Sequence, residues 1–174
     1  MGLFNRIKTA FAAYQKNWGA GMFHYFRPYV NKYFEYEPLI GAESEAILLH
    51  AAMMKIIFMQ KFPDYGPEAW EKYVEAMCHE LRNKKEFQHR LDGKFLMQRL
   101  SFYEARWIDL LTERELLLFD VAYLLYYNPL GDIPDKYPQE TSKIGHYPAT
   151  LHHTMSGIYT AISTSIDQSI RSNS

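Results

Sequence analysis

From Ala42 to Phe62 the chain reads Ala-Glu-Ser-Glu-Ala-Ile-Leu-Leu-His-Ala-Ala-Met-Met-Lys-Ile-Ile-Phe-Met-Gln-Lys-Phe. Wound at about 100° per residue, its apolar side chains do not gather into one stripe. Ile47, Met54 and Ile57 point one way while Leu48, Ala52 and Met59 point nearly the opposite way. A helix that is apolar all round needs protein on every side, so this stretch predicts the central helix of a bundle. A membrane span would want about 18 or more uninterrupted apolar residues. His50 and Lys55 break the run, and Glu43, Glu45, Gln60 and Lys61 bracket it. The expected fold is all-α: a single-domain helical bundle of about five to seven helices wrapped around residues 42–62 and 113–127.

The 174 residues suffice for one domain with a substantial core. With 48% apolar and 22% charged residues the composition is that of a globular chain. Cys78 is the one cysteine and has no intramolecular partner. The N-terminus lacks the continuous apolar core and small-residue cleavage site of a secretory signal, so a reducing, cytoplasmic setting is expected.

A net charge of −1 argues against a general nucleic-acid binder. The charge is unevenly spread, because residues 1–34 carry five cations (Arg6, Lys8, Lys16, Arg27, Lys32) and no acid. That asymmetry predicts either docking of a basic arm on an acidic body or an external anionic partner.

Leu3 to Trp18 reads as a first helix, with Phe4, Ile7, Phe11, Tyr14 and Trp18 on one narrow seam and Arg6 and Lys8 off it. Gly19 and Gly21 then mark a stop. Phe23 to Tyr36 is crowded with rings, and Tyr29, Tyr33 and Tyr36 share helical spacing. Pro28 falls where a short helix would begin. Pro67 opens a further helix carrying Trp70, Val74, Met77 and Leu81. Phe87–Leu111 follows, interrupted at Asp92-Gly93, and Ser101–Glu104 has capping-box form near a second break. Thr112-Glu-Arg-Glu115 has the same form before an apolar run that ends at Tyr126 and Tyr127. Residues 128–148 make a long Pro/Gly loop, and Ile158, Ile162, Ile166 and Ile170 stand four apart on a last helix.

Several constellations test for chemistry. Glu86-Phe-Gln-His89 has the Glu-x-x-His spacing of di-iron bundles, but no second copy exists. His79-Glu80-Leu-Arg-Asn83 begins like a zincin motif and has Asn83 where the second histidine belongs. Glu75 and His79 stand four apart, and His146, His152 and His153 cluster near Asp132 and Asp135 in sequence. With His50, alone in the middle of the central helix, these are the candidate metal ligands. No Gly-x-Ser-x-Gly elbow or phosphate loop occurs, and Cys78 and His79 point to different helix faces.

The opening Met1-Gly-Leu-Phe-Asn-Arg-Ile-Lys8 resembles the amphipathic openings of phage shock protein A and of some membrane-active peptides, over those eight residues only. That family is otherwise a long charged coiled coil, and its function is not carried over. Interfacial binding through Phe4, Ile7 and Phe11 with nearby cations remains a physical option.

No catalytic constellation is complete, and no cofactor is implied. The expected function is therefore a non-catalytic protein-binding module: an adaptor, an inhibitor or an immunity-type binder. Its contact surface is the basic aromatic segment 1–37, with Arg27, Tyr25, Tyr29, Tyr33 and Tyr36 foremost, because clustered Tyr with Arg is what binding hot spots are made of. Phe4, Ile7, Phe11, Arg6 and Lys8 form a further helix for a partner, a second copy or a membrane surface. The alternative is a helical metal-dependent enzyme or ligand-binding protein built on the His and Glu residues above.

Overall fold

The computed structural model describes residues 18–34, 37, 39–88, 92–113, 118–133 and 147–172. Every regular element among them is helical. A first helix, α1, is described over residues 18–26 and runs into a 3-10 segment, Arg27–Tyr33, started by Pro28. Then come α2 (Ala42–Lys61), α3 (Gly66–Arg82), α4 (Gly93–Leu111), α5 (Phe119–Tyr126) and α6 (Tyr147–Ser172). The expected Leu3–Trp18 helix lies outside the described residues except for Trp18, whose ring packs on Phe58, Phe62 and Tyr65.

α2 is the centre of the bundle, as its circumferential apolarity requires. Fifteen of its twenty residues are buried, on all sides, and only Met59 and Gln60 at its end are exposed. α3 and α4 flank it, and the 3-10 segment and α5 close it off. Gly41 starts α2 with φ 88°, a left-handed conformation that costs glycine nothing. α3 buries Ala69, Tyr73, Met77 and Leu81, a four-residue repeat, while Trp70 and Val74 pack half-buried beside it.

α4 starts where Asp92 accepts a hydrogen bond from the Phe95 amide, so the Asp92-Gly93 interruption is a genuine helix start. No second break follows. Ser101–Glu104 lies inside α4, because the buried stripe Leu100, Tyr103, Trp107 and Leu110 holds the helix continuous against α2. The indole of Trp107 donates to the Leu49 carbonyl at 2.8 Å, fixing the two helices in register. Thr112 does not cap a new helix either. Its hydroxyl bonds back to the Ile108 carbonyl at 2.8 Å and ends α4, with Glu113 following at φ 55°. Of the helix expected over 113–127, the described part is Phe119–Tyr126, and residues 114–117 lie outside the described residues. On α6 the isoleucine stripe is buried at Ile158, Ile162 and Ile166 and emerges at Ile170.

Gly19 marks the tightest approach of two elements. A β-carbon there would stand 1.8 Å from the Ala69 carbonyl oxygen and 2.9 Å from the Tyr73 amide nitrogen, so α1 lies directly on the backbone of α3. Gly21, two residues on, meets nothing within 4 Å. The Gly19→Ala variant is therefore expected to lose about 1–3 kcal/mol by overpacking against backbone that cannot rotate away. Gly21→Ala should gain about 0.5–1 kcal/mol from helix propensity. Urea unfolding of the two variants checks the contrast, and equal effects would refute the close contact.

Candidate functional site

The densest buried polar constellation was not singled out from the sequence. Glu45, on the first turns of α2, and Arg99, on α4, are both withdrawn from solvent, with Arg99 Nε 3.0 Å from Glu45 Oε1. The Tyr103 hydroxyl, one turn beyond Arg99, donates to Glu45 Oε1. The Leu130 amide donates to Glu45 Oε2 at 2.7 Å, and Arg99 Nη2 donates to the Gly131 carbonyl. One carboxylate and one guanidinium thus tie α2, α4 and the turn after α5 together. Burial pushes the Glu45 carboxyl up, while Arg99, Tyr103 and the Leu130 amide pull it down without fully offsetting that push. Burial likewise pushes the Tyr103 phenol well above its ordinary value, so it stays a neutral donor.

The turn so held is strained. Leu130 takes φ 59°, the left-handed region that a branched side chain rarely enters. Beside it opens a cleft of about 630 Å³, lined by Phe95, Met97, Gln98, Arg99 and Ser101 from α4 and by Gly131, Asp132 and Ile133 from the turn. The Arg99 guanidinium lies 5.1 Å from the centre of the Phe95 ring, and its Nη1 has no hydrogen-bond partner.

The aromatic N-terminal third is divided by the fold. Tyr33 is a core residue, and its assignment to a contact surface is corrected. Its ring sits against His50, and its carbonyl accepts from the Tyr126 hydroxyl at 2.5 Å. Tyr29 is half-buried, with Lys32 Nζ 4.3 Å above its ring. Tyr36 and the Phe4–Phe11 seam lie outside the described residues. Arg27 is committed internally: Nε meets Glu80 Oε1 at 2.6 Å and Nη2 meets Glu43, whose other oxygen takes Lys84 at 2.6 Å. At Arg27, then, the basic segment does dock on the acidic body. Among the described tyrosines of the set, Tyr25 is the one that faces solvent.

Among the described residues the histidine candidates do not converge. His50 is fully buried in α2. Its Nδ1 is 3.4 Å from the Tyr33 hydroxyl, its Nε2 is unpartnered, and burial followed by the charge of Arg27 lowers its pKa to about 3. His79 and Glu75 are exposed on α3, where Glu75 pairs with Lys72 instead. His152 is half-buried and His153 exposed on α6, while His146 lies outside the described residues. Among the described residues no group of three His, Cys, Asp or Glu side chains could hold a metal ion. Burial raises the Cys78 thiol, away from the thiolate a nucleophile needs. No helix among the described residues is long and apolar enough to cross a membrane. No protein-family model matches this chain, and neither does any curated protein or solved structure.

Proposed function

We propose that this chain is a non-catalytic binding module that engages a protein partner through the N-terminal third. The observation that carries the reading is the exposure of Leu39 (55%) and Ile40 (89%), two consecutive large aliphatic side chains. They remain in water although the rings earlier in this third of the chain, Phe23, Phe26 and Tyr33, are buried in the core. Burying each would release about 1.5–3 kcal/mol. Tyr25, 68% exposed on α1, adds an aromatic side chain of the type that anchors interfaces. Single exposed apolar residues are ordinary, but an adjacent pair followed by the fixed left-handed Gly41 is a presented step.

The double variant Leu39→Ser/Ile40→Ser tests it. The Leu39 carbonyl would still accept from the Ala42 amide, so the start of α2 is kept and stability should change by no more than about 0.5 kcal/mol. A partner crosslinked to the wild-type chain at Tyr25 or next to Ile40 should be lost with the variant. An identical crosslinking profile for both chains would refute the reading.

A further inference from the structure

We propose that the outer face of α4 is an interface between two copies of this chain, packed antiparallel about a two-fold axis at the level of Tyr103. Each copy would seat its Ile108 at the mouth of the other's cleft, between Met97 and Ser101. This surface is independent of the N-terminal third.

The outer side of α4 lacks the charge of an ordinary solvent-facing helix. Its exposed positions from Met97 to Ile108 are Met97, Gln98, Ser101, Ala105 and Ile108, and none is charged. A surface helix turns charged and polar residues outward. At about 100° per residue, Met97, Ser101, Ala105 and Ile108 fall within about 80° of one another, a single stripe. Its ends are large and apolar, Met97 63% and Ile108 44% exposed, and its middle is small. The half-buried charges along its edges are engaged within the chain. Glu104 takes Lys55 at 2.6 Å, and Arg106 pairs with Asp109 at 3.1 Å and with Asp120.

The order of features along the stripe selects the occupant. A cleft of about 630 Å³ opens at one end, beside Met97 and Ser101, and Ile108 projects at the other. Cleft and projection stand about 15 Å apart along the helix, at 1.5 Å per residue. A two-fold axis midway between them brings each Ile108 over the cleft of the other copy, the self-complementary arrangement of an isologous dimer. The same axis sets Ser101 against Ala105, and neither side chain is large enough to hold two helices apart. A helix of another protein would have to supply both a projection and a recess at this spacing, which the chain already possesses.

Charge fixes the direction. Lys94 stands one turn before Met97, and Glu113 follows the end of the helix. Both are exposed, and among the described residues neither forms an ion pair. Antiparallel packing lays Lys94 opposite Thr112, between Asp109 and Glu113 of the second copy, and does so twice. Parallel packing would set Lys94 on Lys94 and Glu113 on Glu113. Exposed pairs of this kind choose an orientation more than they add affinity. The strip is one helix wide and smaller than the about 800 Å² per partner of a stable complex, so the dimer is weak and concentration-dependent.

Sedimentation equilibrium of the full chain from about 5 µM to about 1 mM is the test, with an expected dimer Kd between about 10 and 500 µM. Ala105→Glu sets two like charges across the axis and removes no buried contact. It should weaken the dimer at least about tenfold with an unchanged Tm. Lys94→Glu should weaken it about three- to fivefold, and adding Glu113→Lys should recover most of that loss. A chain that stays monomeric up to about 1 mM would overturn the proposal and leave the face to another protein. Dimers indifferent to Ala105→Glu would overturn it by forming elsewhere, and dimers indifferent to Lys94→Glu by packing parallel. A lowered Tm for Ala105→Glu would mean that the face is already covered within the chain, which sinks the proposal as well.

Discussion

Replacing Glu45 by alanine is expected to lower the stability of this chain by about 3–5 kcal/mol, the range for breaking a buried ion pair from one side. The substitution removes one carboxylate and strands three donors at once. Arg99 keeps its charge in the interior, the Tyr103 hydroxyl loses its acceptor, and the Leu130 amide loses the bond that holds a branched residue at φ 59°. The loss exceeds the net worth of the pair, because most of it is the cost of the uncompensated guanidinium. A second variant separates the two. Glu45→Leu combined with Arg99→Met removes both charges in side chains of similar bulk and should recover most of the loss, since buried pairs often only break even against apolar replacements. Urea unfolding of wild type, both single variants and the double variant gives the coupling energy directly. A cost below about 1 kcal/mol for Glu45→Ala would place the pair with exposed salt bridges and detach the turn at Leu130 from the core.

The same pair shows where sequence reading stops. Periodicity identified α2 as central because its information is local: apolar residues on every face permit only burial. The start at Asp92-Gly93, the prolyl starts at Pro28 and Pro67 and the buried stripe of α6 are equally local and equally legible. Capping boxes misled, since Ser101–Glu104 and Thr112–Glu115 satisfy a pattern of residue types that says nothing of what lies across the helix. In both places α4 continued or ended as its packing on α2 dictated. Glu45 and Arg99 stand fifty-four positions apart, and no spacing rule relates them. A signal existed all the same: Arg99 falls on the buried stripe with Tyr103 and Trp107, and Glu45 sits in a helix with no solvent face. An acid and a cation each out of place on a buried surface are candidates for each other. Tyr33 was misplaced for the converse reason. Its spacing with Tyr29 fits either a surface ladder or a core edge, and only the position of His50 decides between them.

That histidine carries the second large effect, which appears in acid. In the native chain burial and the charge of Arg27 hold the His50 pKa at about 3, whereas an unfolded chain releases it to the ordinary value of about 6.5. Between those two values the unfolded state binds a proton that the native state refuses, so stability must fall as the pH falls. The contribution is complete above pH about 6.5 and drops by about 1.4 kcal/mol per pH unit below it, toward about 4–5 kcal/mol over the whole window. That approaches the entire stability of an ordinary domain.

Other groups overlap this window, and the wild-type curve alone would mix them. Glu43 is pushed up by burial but pulled further down by Lys84 and Arg27, so its stabilisation is lost in more acidic solution, in the same direction as His50. Burial raises Glu45 and Asp120, which take up protons more readily in the native chain and so act in the opposite direction. The difference between wild type and His50→Leu cancels these terms. Leucine suits a helix that is apolar on every face, and its cost at neutral pH is confined to the long 3.4 Å contact with Tyr33. Measured from pH about 7 down to about 4, the variant should therefore gain on wild type by about 3 kcal/mol, crossing from slightly less stable to clearly more stable. Parallel curves would mean that water or a polar partner reaches the unpartnered Nε2. In that case residue 50 is a solvated histidine inside the bundle rather than a neutral core ring.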